Sequence, residues 1–590
     1  MSTHHFRPGN WATRNPIAAC LWQCRGLIGI AVLFGFGINL LMLAVPLYSM
    51  QVFDRVLSSG SQETLVFLSL IVVVCLVFTS MLQALRELLL TQTGRWIEDH
   101  LQDTVFRATA ETSVVQPGIG AQPLRDLATV KGFVSSMAFV AAVDAPWAPI
   151  YFICVYIISI PIGVALSLSA CVFIALALAA HYLPKSASER SGQLQTQALQ
   201  TFDAMLRNAE ITKAMGLVRN ASQRWKDENC AAVEAAFSAT NLGTLIGTVT
   251  RGLRTGLQLF LTGFSAWLVL SGHLSSGAII AVSTLAGKAL APFDSAVSIH
   301  HGWSGFKLAY RRLVDIVSIA QHEPPKIRLP APSGILSVES LSWQERQGQR
   351  WILRGVTFHL DAGCSLAVIG PSGSGKTTLA RLLVGLMRPT IGHVRLDHAA
   401  LEQWPPEQLG EAIGYLPQDV QLFSGTVAQN IARLDRNPDS DGVVAAAVMA
   451  GIHDLVLHLP HGYQTDIGVN GRTLSAGQRQ RIALARCFYG HPKLMVLDEP
   501  NASLDREGEH ALALALERAK KAGITTITIS HRTRLLRQMD RILLLTAGEV
   551  RAYGAPSNIL PKLVDPTQTI GASATPRSAT VSRPPATVVP

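Results

Sequence analysis

Charged side chains are scarce in this sequence: Asp, Glu, Lys and Arg make up 15% of its 590 residues, against 48% hydrophobic. A soluble protein carries roughly a quarter charged residues, so the shortfall excludes a chain that is water-soluble throughout. The deficit is uneven. Residues 27–292 carry long apolar runs, whereas residues 335–565 read as an ordinary soluble α/β region. Paired cysteine spacing is also missing. Cys20, Cys24, Cys75, Cys154, Cys171, Cys230, Cys364 and Cys487 include no CxxC pair, which argues against a disulfide framework or zinc ribbon and for buried or reduced thiols. No cleavable signal pattern precedes Trp22, so the first apolar run is expected to serve as its own insertion signal. A basic stripe is lacking too. The net charge is +10, but the Lys and Arg residues are dispersed and many flank apolar runs, which points to membrane topology and away from nucleic acid.

Crossing a bilayer takes about 20 apolar residues in a helix, and six stretches qualify. Gly26–Tyr48, interrupted by Asn39, and Thr64–Ala84 come first. Ala145–Ile160 stops at Pro161 and Ile162–Ala180 follows, which predicts a tight hairpin broken at the proline. Gly256–Leu270 and Leu274–Pro292 flank Ser271-Gly272-His273 as a second hairpin. Arg86, Arg95, Arg107, Arg125 and Lys131 lie between the second and third spans. Lys185, Arg190, Arg207, Lys213, Arg219, Arg224 and Lys226 lie between the fourth and fifth, while the short connections hold only Arg55. The positive-inside rule then places both termini and the two long loops in the cytoplasm. Each loop has about 55–60 residues of helical periodicity, so the helices are expected to leave the membrane and turn back. The bends are expected near Gly118–Leu127 and Arg207–Leu217.

The soluble region carries the chemistry. Gly370-Pro371-Ser372-Gly373-Ser374-Gly375-Lys376-Thr377 fits the phosphate-loop pattern, between a strand at Ser365–Ile369 and an apolar-faced helix opened by Thr378. Glycines let backbone N–H groups turn inward around phosphate, and the helix N-terminus adds positive potential. Lys376 is then expected at the β- and γ-phosphates and the Thr377 hydroxyl on Mg²⁺. Leu494–Asp498 reads as a second buried strand. Asp498 is placed to hold Mg²⁺ through water, and Glu499 to orient or deprotonate the attacking water. Ile524–Ser530 alternates as a strand and delivers His531 to the carboxyl edge of the same sheet, where open α/β sheets bind ligands. Its expected role is to position the γ-phosphate and water. Leu474-Ser475-Ala476-Gly477-Gln478 precedes a helix at Arg479–Cys487, and its serine could be simply an N-cap.

Taken in order, the phosphate loop, Gln418, Leu474–Gln478, Leu494–Glu499, Ser503-Leu504-Asp505 and His531 resemble an ATP-binding cassette domain over residues 335–560. The resemblance implies a membrane all-α six-span exporter domain fused to a soluble α/β P-loop cassette, with ATP and Mg²⁺ as ligands. It implies that the Ser475–Gln478 loop completes the nucleotide site of a second chain, with Ser475 and Gly477 on the γ-phosphate. Gln418 would sense Mg²⁺ and the water, and Asp505 would belong to the loop joining the two sites. With one phosphate loop and one serine-led loop per chain, a homodimer is the simplest closure. Three positions depart from the family pattern. Ala476 replaces a glycine, Val469 in Thr465–Gly471 stands where an acid is common, and the adenine-stacking aromatic aligns near Glu345, with Trp343 or Trp351 as substitutes.

Across nearly the whole chain the finer resemblance is to type I secretion ATPases of the PrtD kind. It is carried by Val52–Leu57, Leu124–Leu127, Asp144–Ile150, Gly414–Asp419 and Leu497–Asn501. Such relatives sit in the bacterial inner membrane. They move unfolded polypeptides with C-terminal signals, together with a periplasmic membrane-fusion protein and an outer-membrane channel. Export of a lipid or small hydrophobic compound is the alternative. A third reading, an ATP-gated channel or regulatory binding protein, is disfavoured by the intact Glu499 and His531. No peptidase-like domain is expected ahead of the first span. Asp54, Arg55 and Asp144 are open between a role in function and simple anchoring of helix ends. The expected division is an N-terminal segment (1–25), the transmembrane domain (26–323), a proline-rich linker (324–334), the cassette (335–565) and a disordered tail (566–590).

Overall fold

A computed structural model describes residues 15–115, 119–182, 185–320, 326–345 and 350–564. The tail expected over 566–590, the start of the proline-rich linker and the bend position Gly118 lie outside these residues. The chain forms two compact units, Met1–Glu323 and Pro324–Pro590.

The first unit is helical. Among the described residues six helices are long and apolar enough to cross a membrane: Arg25–Ser59, Gln62–Val114, Met137–Ile158, Ile160–Ala179, Thr244–Leu270 and Ser276–Phe293. Two of them extend well past a bilayer, as parts of helices Gln62–Val115 of 54 residues and Val218–Leu270 of 53. The chain turns back at Gly120 (φ +55°) and Gly216 (φ +65°), where a left-handed backbone favours glycine.

Two prolines expected near span ends lie within helices. The third span ends at Ser159, whose extended backbone (φ −160°, ψ 120°) makes the break, and Pro161 lies in the first turn of helix Ile160–Tyr182. A first-turn proline sacrifices no helical hydrogen bond, so it starts this helix better than it ends the previous one. Pro292 lies inside one continuous helix, Ser276–Ala320. Its missing N–H removes one bond from the ladder. Val282, Leu285, Ala286, Ala289 and Leu290, packed into the core with Tyr151, Val155 and Leu261, hold the helix in register up to it.

Asn39, Asp54 and Arg86, polar residues in or beside the apolar runs, are partnered. Asn39 donates to Gly35 O at 2.8 Å and its Oδ1 accepts from the Tyr151 hydroxyl at 2.9 Å. Asp54, within a π-helical turn at Val52–Val56, accepts from Ser275 Oγ at 2.6 Å and Gly277 N at 2.7 Å. It thereby caps the start of helix Ser276–Ala320. Arg86, counted above among the cytoplasmic topology charges, is buried and paired with Asp144. Both acids anchor helices, as one of the two sequence readings had it.

The second unit is α/β. A four-stranded antiparallel sheet runs in the order β2-β1-β4-β5: β1 Leu336–Gln344, β2 Trp351–Leu360, β4 Ile391–Leu396 and β5 Ala399–Ala400. A six-stranded sheet runs β10-β9-β3-β8-β7-β6. Its strands are β3 Ser365–Ile369, β6 Ile413–Leu416, β7 Leu494–Asp498, β8 Thr525–Ile529, β9 Arg541–Thr546 and β10 Glu549–Gly554. Strands β9, β3, β8, β7 and β6 are parallel. β3, β7 and β8 are buried at every position, as their unbroken apolar and threonine runs require when helices cover both faces. A parallel sheet sends its strand ends to one edge. The phosphate loop, the Asp498-Glu499 pair, His531 and Gln418 all follow these strands there.

Candidate nucleotide site

Three glycines shape the phosphate loop. Gly370 (φ +156°), Gly373 (φ +76°) and Gly375 (φ +98°) have backbone angles that side chains resist. A Cβ on Gly370 would lie 2.0 Å from Leu545 O on β9, and one on Gly375 2.8 Å from Leu353 Cδ2 on β2. The loop is thus pressed between both sheets. Ser374 closes a turn from its N–H to Pro371 O at 3.3 Å, while its buried hydroxyl has no partner among the described residues. Lys376 opens helix Lys376–Leu383, two residues before the Thr378 start expected. Its Nζ donates to Gly370 O at 2.8 Å and Pro371 O at 2.9 Å, folded over the loop that Ser372 completes. Burial holds the Lys376 pKa below the ordinary lysine value, with Glu499 and Asp498 opposing.

Asp498 ends β7 almost wholly buried, and neither carboxylate oxygen completes a hydrogen bond among the described residues. Burial raises its pKa above the ordinary carboxylate range; the nearby Thr377 hydroxyl lowers it, Glu499 raises it, and Arg381 and Lys376 lower it. A buried acid left without donors, beside a hydroxyl, is a fitting donor set for a hard cation. Glu499 follows at φ +50° and its Oε2 accepts from Gln418 Nε2 at 3.3 Å. The structure therefore brings Lys376, Thr377, Asp498, Glu499 and Gln418 to one place. His531 also comes to this sheet edge, one residue past Ser530, but is exposed and makes no hydrogen bond among the described residues.

Ser475 is an N-cap, as the plainer sequence reading had it. Its Oγ accepts from Gln478 N at 3.2 Å and its N–H donates to Gln478 Oε1 at 2.9 Å, a capping box at the head of helix Ala476–Phe488. Ala476 is exposed as the first helical residue, with open surface for its methyl group. A Cβ on Gly477 would sit 3.0 Å from Ser503 O, which explains the glycine by close packing. Asp505 caps helix Arg506–Lys521 through Gly508 N at 2.7 Å and pairs with Arg481 at 3.0 Å. Val469 is 61% exposed in a loop whose Asn470 is left-handed.

Gln480 was missed by sequence reasoning. It is buried, and its amide bonds Glu499 O and Ser503 N. A signal was present: Gln480 shares helical spacing with the buried Ala483, Leu484 and Cys487, so it is a polar residue on an apolar stripe.

This arrangement is matched by known proteins. Residues 353–502 match the family described as ABC transporter, and residues 124–292 the ABC transporter transmembrane region. Over 557 residues the chain is 36% identical to the type I secretion system ATP-binding protein PrsD of Rhizobium meliloti (strain 1021), covering 93% of this chain and 95% of that protein. The chain belongs to the ABC transporters, on their type I secretion branch. It is also 27% identical over 535 residues to the leukotoxin translocation ATP-binding protein LktB of Mannheimia haemolytica, covering 89% of this chain and 75% of that one. A bacterial Atm1-family ABC exporter with ATP bound shares the fold, at a TM-score of 0.77 and 23% identity over 91% of this chain and 96% of that one. As an ABC exporter the chain binds ATP and couples its hydrolysis to transport, and it is a multi-pass inner-membrane protein with a soluble ATP-binding domain.

Proposed function

We propose that two copies of this chain close on two ATP molecules and use the hydrolysis to export an unfolded polypeptide bearing a C-terminal signal. The polypeptide would pass into a conduit of a periplasmic membrane-fusion protein and an outer-membrane channel. The observation that carries this reading is the end-to-end match to PrsD, a type I secretion protein, through the membrane and cassette units together. A match confined to the cassette would say only that ATP is used.

Within one site the contacts support a division of roles. Backbone N–H groups of Gly370 and of Ser372–Thr378, beside Pro371, and the Lys376 ammonium bind phosphate oxygens. Thr377, Asp498 and Gln418 are the residues that would hold Mg²⁺, which when bound supplies positive charge beside the β- and γ-phosphates. Glu499 takes the proton of the attacking water as its oxygen bonds to the γ-phosphorus and the bond to ADP breaks. Gln418, 3.3 Å from that carboxylate, holds it toward the water, and His531 turns to the γ-phosphate. Ser475 accepts the Gln478 N–H, so its own hydroxyl proton is available to a phosphate oxygen of the partner's ATP. Gly477 and Gln478 complete that loop, and Asp505 lies between the two sites.

The test is the secreted protein of a strain carrying Lys376→Ala in place of the wild-type chain. Loss of one or a few extracellular polypeptides is the expected result. An unchanged set of secreted proteins, with a lipid or small hydrophobic compound retained in the cell, would transfer the same engine to that alternative cargo.

A further inference from the structure

The peptide following Glu499 is held by a residue outside every motif used so far. Glu499 sits at φ +50°, a left-handed conformation that non-glycine residues seldom occupy. Such strain persists only where the surroundings over-determine it. The Glu499 N–H donates to Ile529 O at 3.1 Å, which ties the preceding peptide to β8. The next peptide joins Glu499 to Pro500, so it has no N–H and can be anchored only through its carbonyl. That carbonyl accepts from Ala502 N at 3.1 Å and from Gln480 Nε2 at 3.1 Å. The Ala502 bond is local to the turn. Gln480 comes from another element, helix Ala476–Phe488, and its Oε1 also accepts from Ser503 N at 3.0 Å.

The next residue extends the grip, because Arg481 Nη2 lies 3.0 Å from Asp505 Oδ1. Two consecutive side chains thus fasten both ends of Glu499–Asp505 to the helix capped by Ser475. Gln480 is only 4% exposed. An apolar side chain of the same volume would fill that space at lower desolvation cost, so its amide is explained by what it bonds.

We propose that Gln480 is a positioning residue for ATP hydrolysis: by holding the carbonyl of Glu499 it aims that residue's carboxylate at the attacking water. The inference rests on the proposed role of Glu499. The hydrogen bonds of the buried Gln480 go to backbone atoms of this loop, so its loss is expected to slow turnover and leave nucleotide binding in place.

The experiment uses the full chain in lipid nanodiscs, with Gln480→Met and Gln480→Glu. Methionine fills the space and removes both hydrogen bonds. An ionised glutamate still accepts from Ser503 N but cannot donate to Glu499 O; a protonated one regains a donor. In Gln480→Met, kcat is expected to fall about 10- to 100-fold with the KM for ATP within about threefold of wild type. In Gln480→Glu, kcat relative to wild type at each pH is expected to approach the wild-type value at the acid end of the range. A Met variant within threefold of the wild-type kcat, or one whose KM changes as much as its kcat, overturns the proposal. So does a Glu variant that stays as slow as the Met variant in acid. Should the Met variant fail to fold, the Glu variant decides alone, an alkaline-to-acid rise supporting the proposal and its absence counting against it. Wild type against Glu499→Gln in the same nanodiscs reports on the reading beneath: equal rates there sink hydrolysis by Glu499, whereas a fast wild type with unaffected Gln480 variants sinks only this inference.

Discussion

Arg86 Nη1 lies 2.7 Å from Asp144 Oδ1, with the arginine side chain 6% exposed and the aspartate 29%. The pair joins the second membrane-crossing helix to the third at the point where a 3₁₀ turn, Ala145–Trp147, interrupts that helix. Gly35 of the first span packs against both, since a Cβ there would meet Asp144 Oδ1 at 2.9 Å and Arg86 Nη1 at 3.5 Å. Removing one partner strands a buried charge, at a cost of about 3–5 kcal/mol. Arg86→Leu and Asp144→Leu are each expected to lower the unfolding temperature of the purified protein sharply. The double variant should regain much of the loss in a double-mutant cycle of thermal melts.

Replacing Glu499 by glutamine keeps the shape and the Gln418 contact but removes the proton acceptor. The expected outcome is a fall in phosphate release of about 10²-fold or more with ATP binding retained. Single-turnover hydrolysis beside equilibrium nucleotide binding separates the two quantities.

The two tryptophans near the expected adenine position are placed differently. Trp343 on β1, opposite Leu353 of β2, packs against the apolar core, whereas Trp351 is half-buried at the loop end of the β1–β2 hairpin. Trp351 is therefore the one available for stacking on the base. Trp351→Ala should raise the KM for ATP about 10-fold with kcat unchanged, the worth of one stacked base. Trp343→Ala should instead lower stability by about 3 kcal/mol, read by denaturant unfolding.

Asp397 gives a pH signature. Burial pushes its pKa up, but hydrogen bonds from Ser333 N and Oγ, Ile335 N and Gly334 N outweigh that and hold it below the ordinary carboxylate range. A carboxylate with a depressed folded pKa stabilises the native state above its unfolded pKa, and the gain disappears as pH falls through the folded one. Asp397→Asn should cost about 2 kcal/mol at neutral pH. The gap between the two unfolding temperatures should close as the buffer is taken below pH 3.8.

The parts of this fold that were readable beforehand are those fixed by composition and by backbone need. Long apolar runs have no alternative to membrane helices, and the glycines at 370, 373 and 375 occupy angles or spaces that other residues cannot. The break expected at Pro161 misled, because a proline acts through where it falls in a helical turn, which hydropathy does not encode. Arg86 was counted with the charges between the second and third spans, and its burial becomes visible only when its partner, Asp144, is brought to it from the next span. Ser475 was legible as a cap. Gln480 was hidden because its meaning lies in the carbonyl it reaches, which belongs to a loop after a different strand.

Helix Gln62–Val115 runs unbroken for 54 residues. At about 1.5 Å per residue this is a rod of roughly 80 Å, most of it beyond the hydrocarbon layer. A lever of that length magnifies angle into displacement: one degree of pivot at the periplasmic end sweeps the other tip through about 1.4 Å on the same rise per residue. Tilts too small to repack the bilayer-embedded turns are thus large enough, at the far end, to make or break a hydrogen bond.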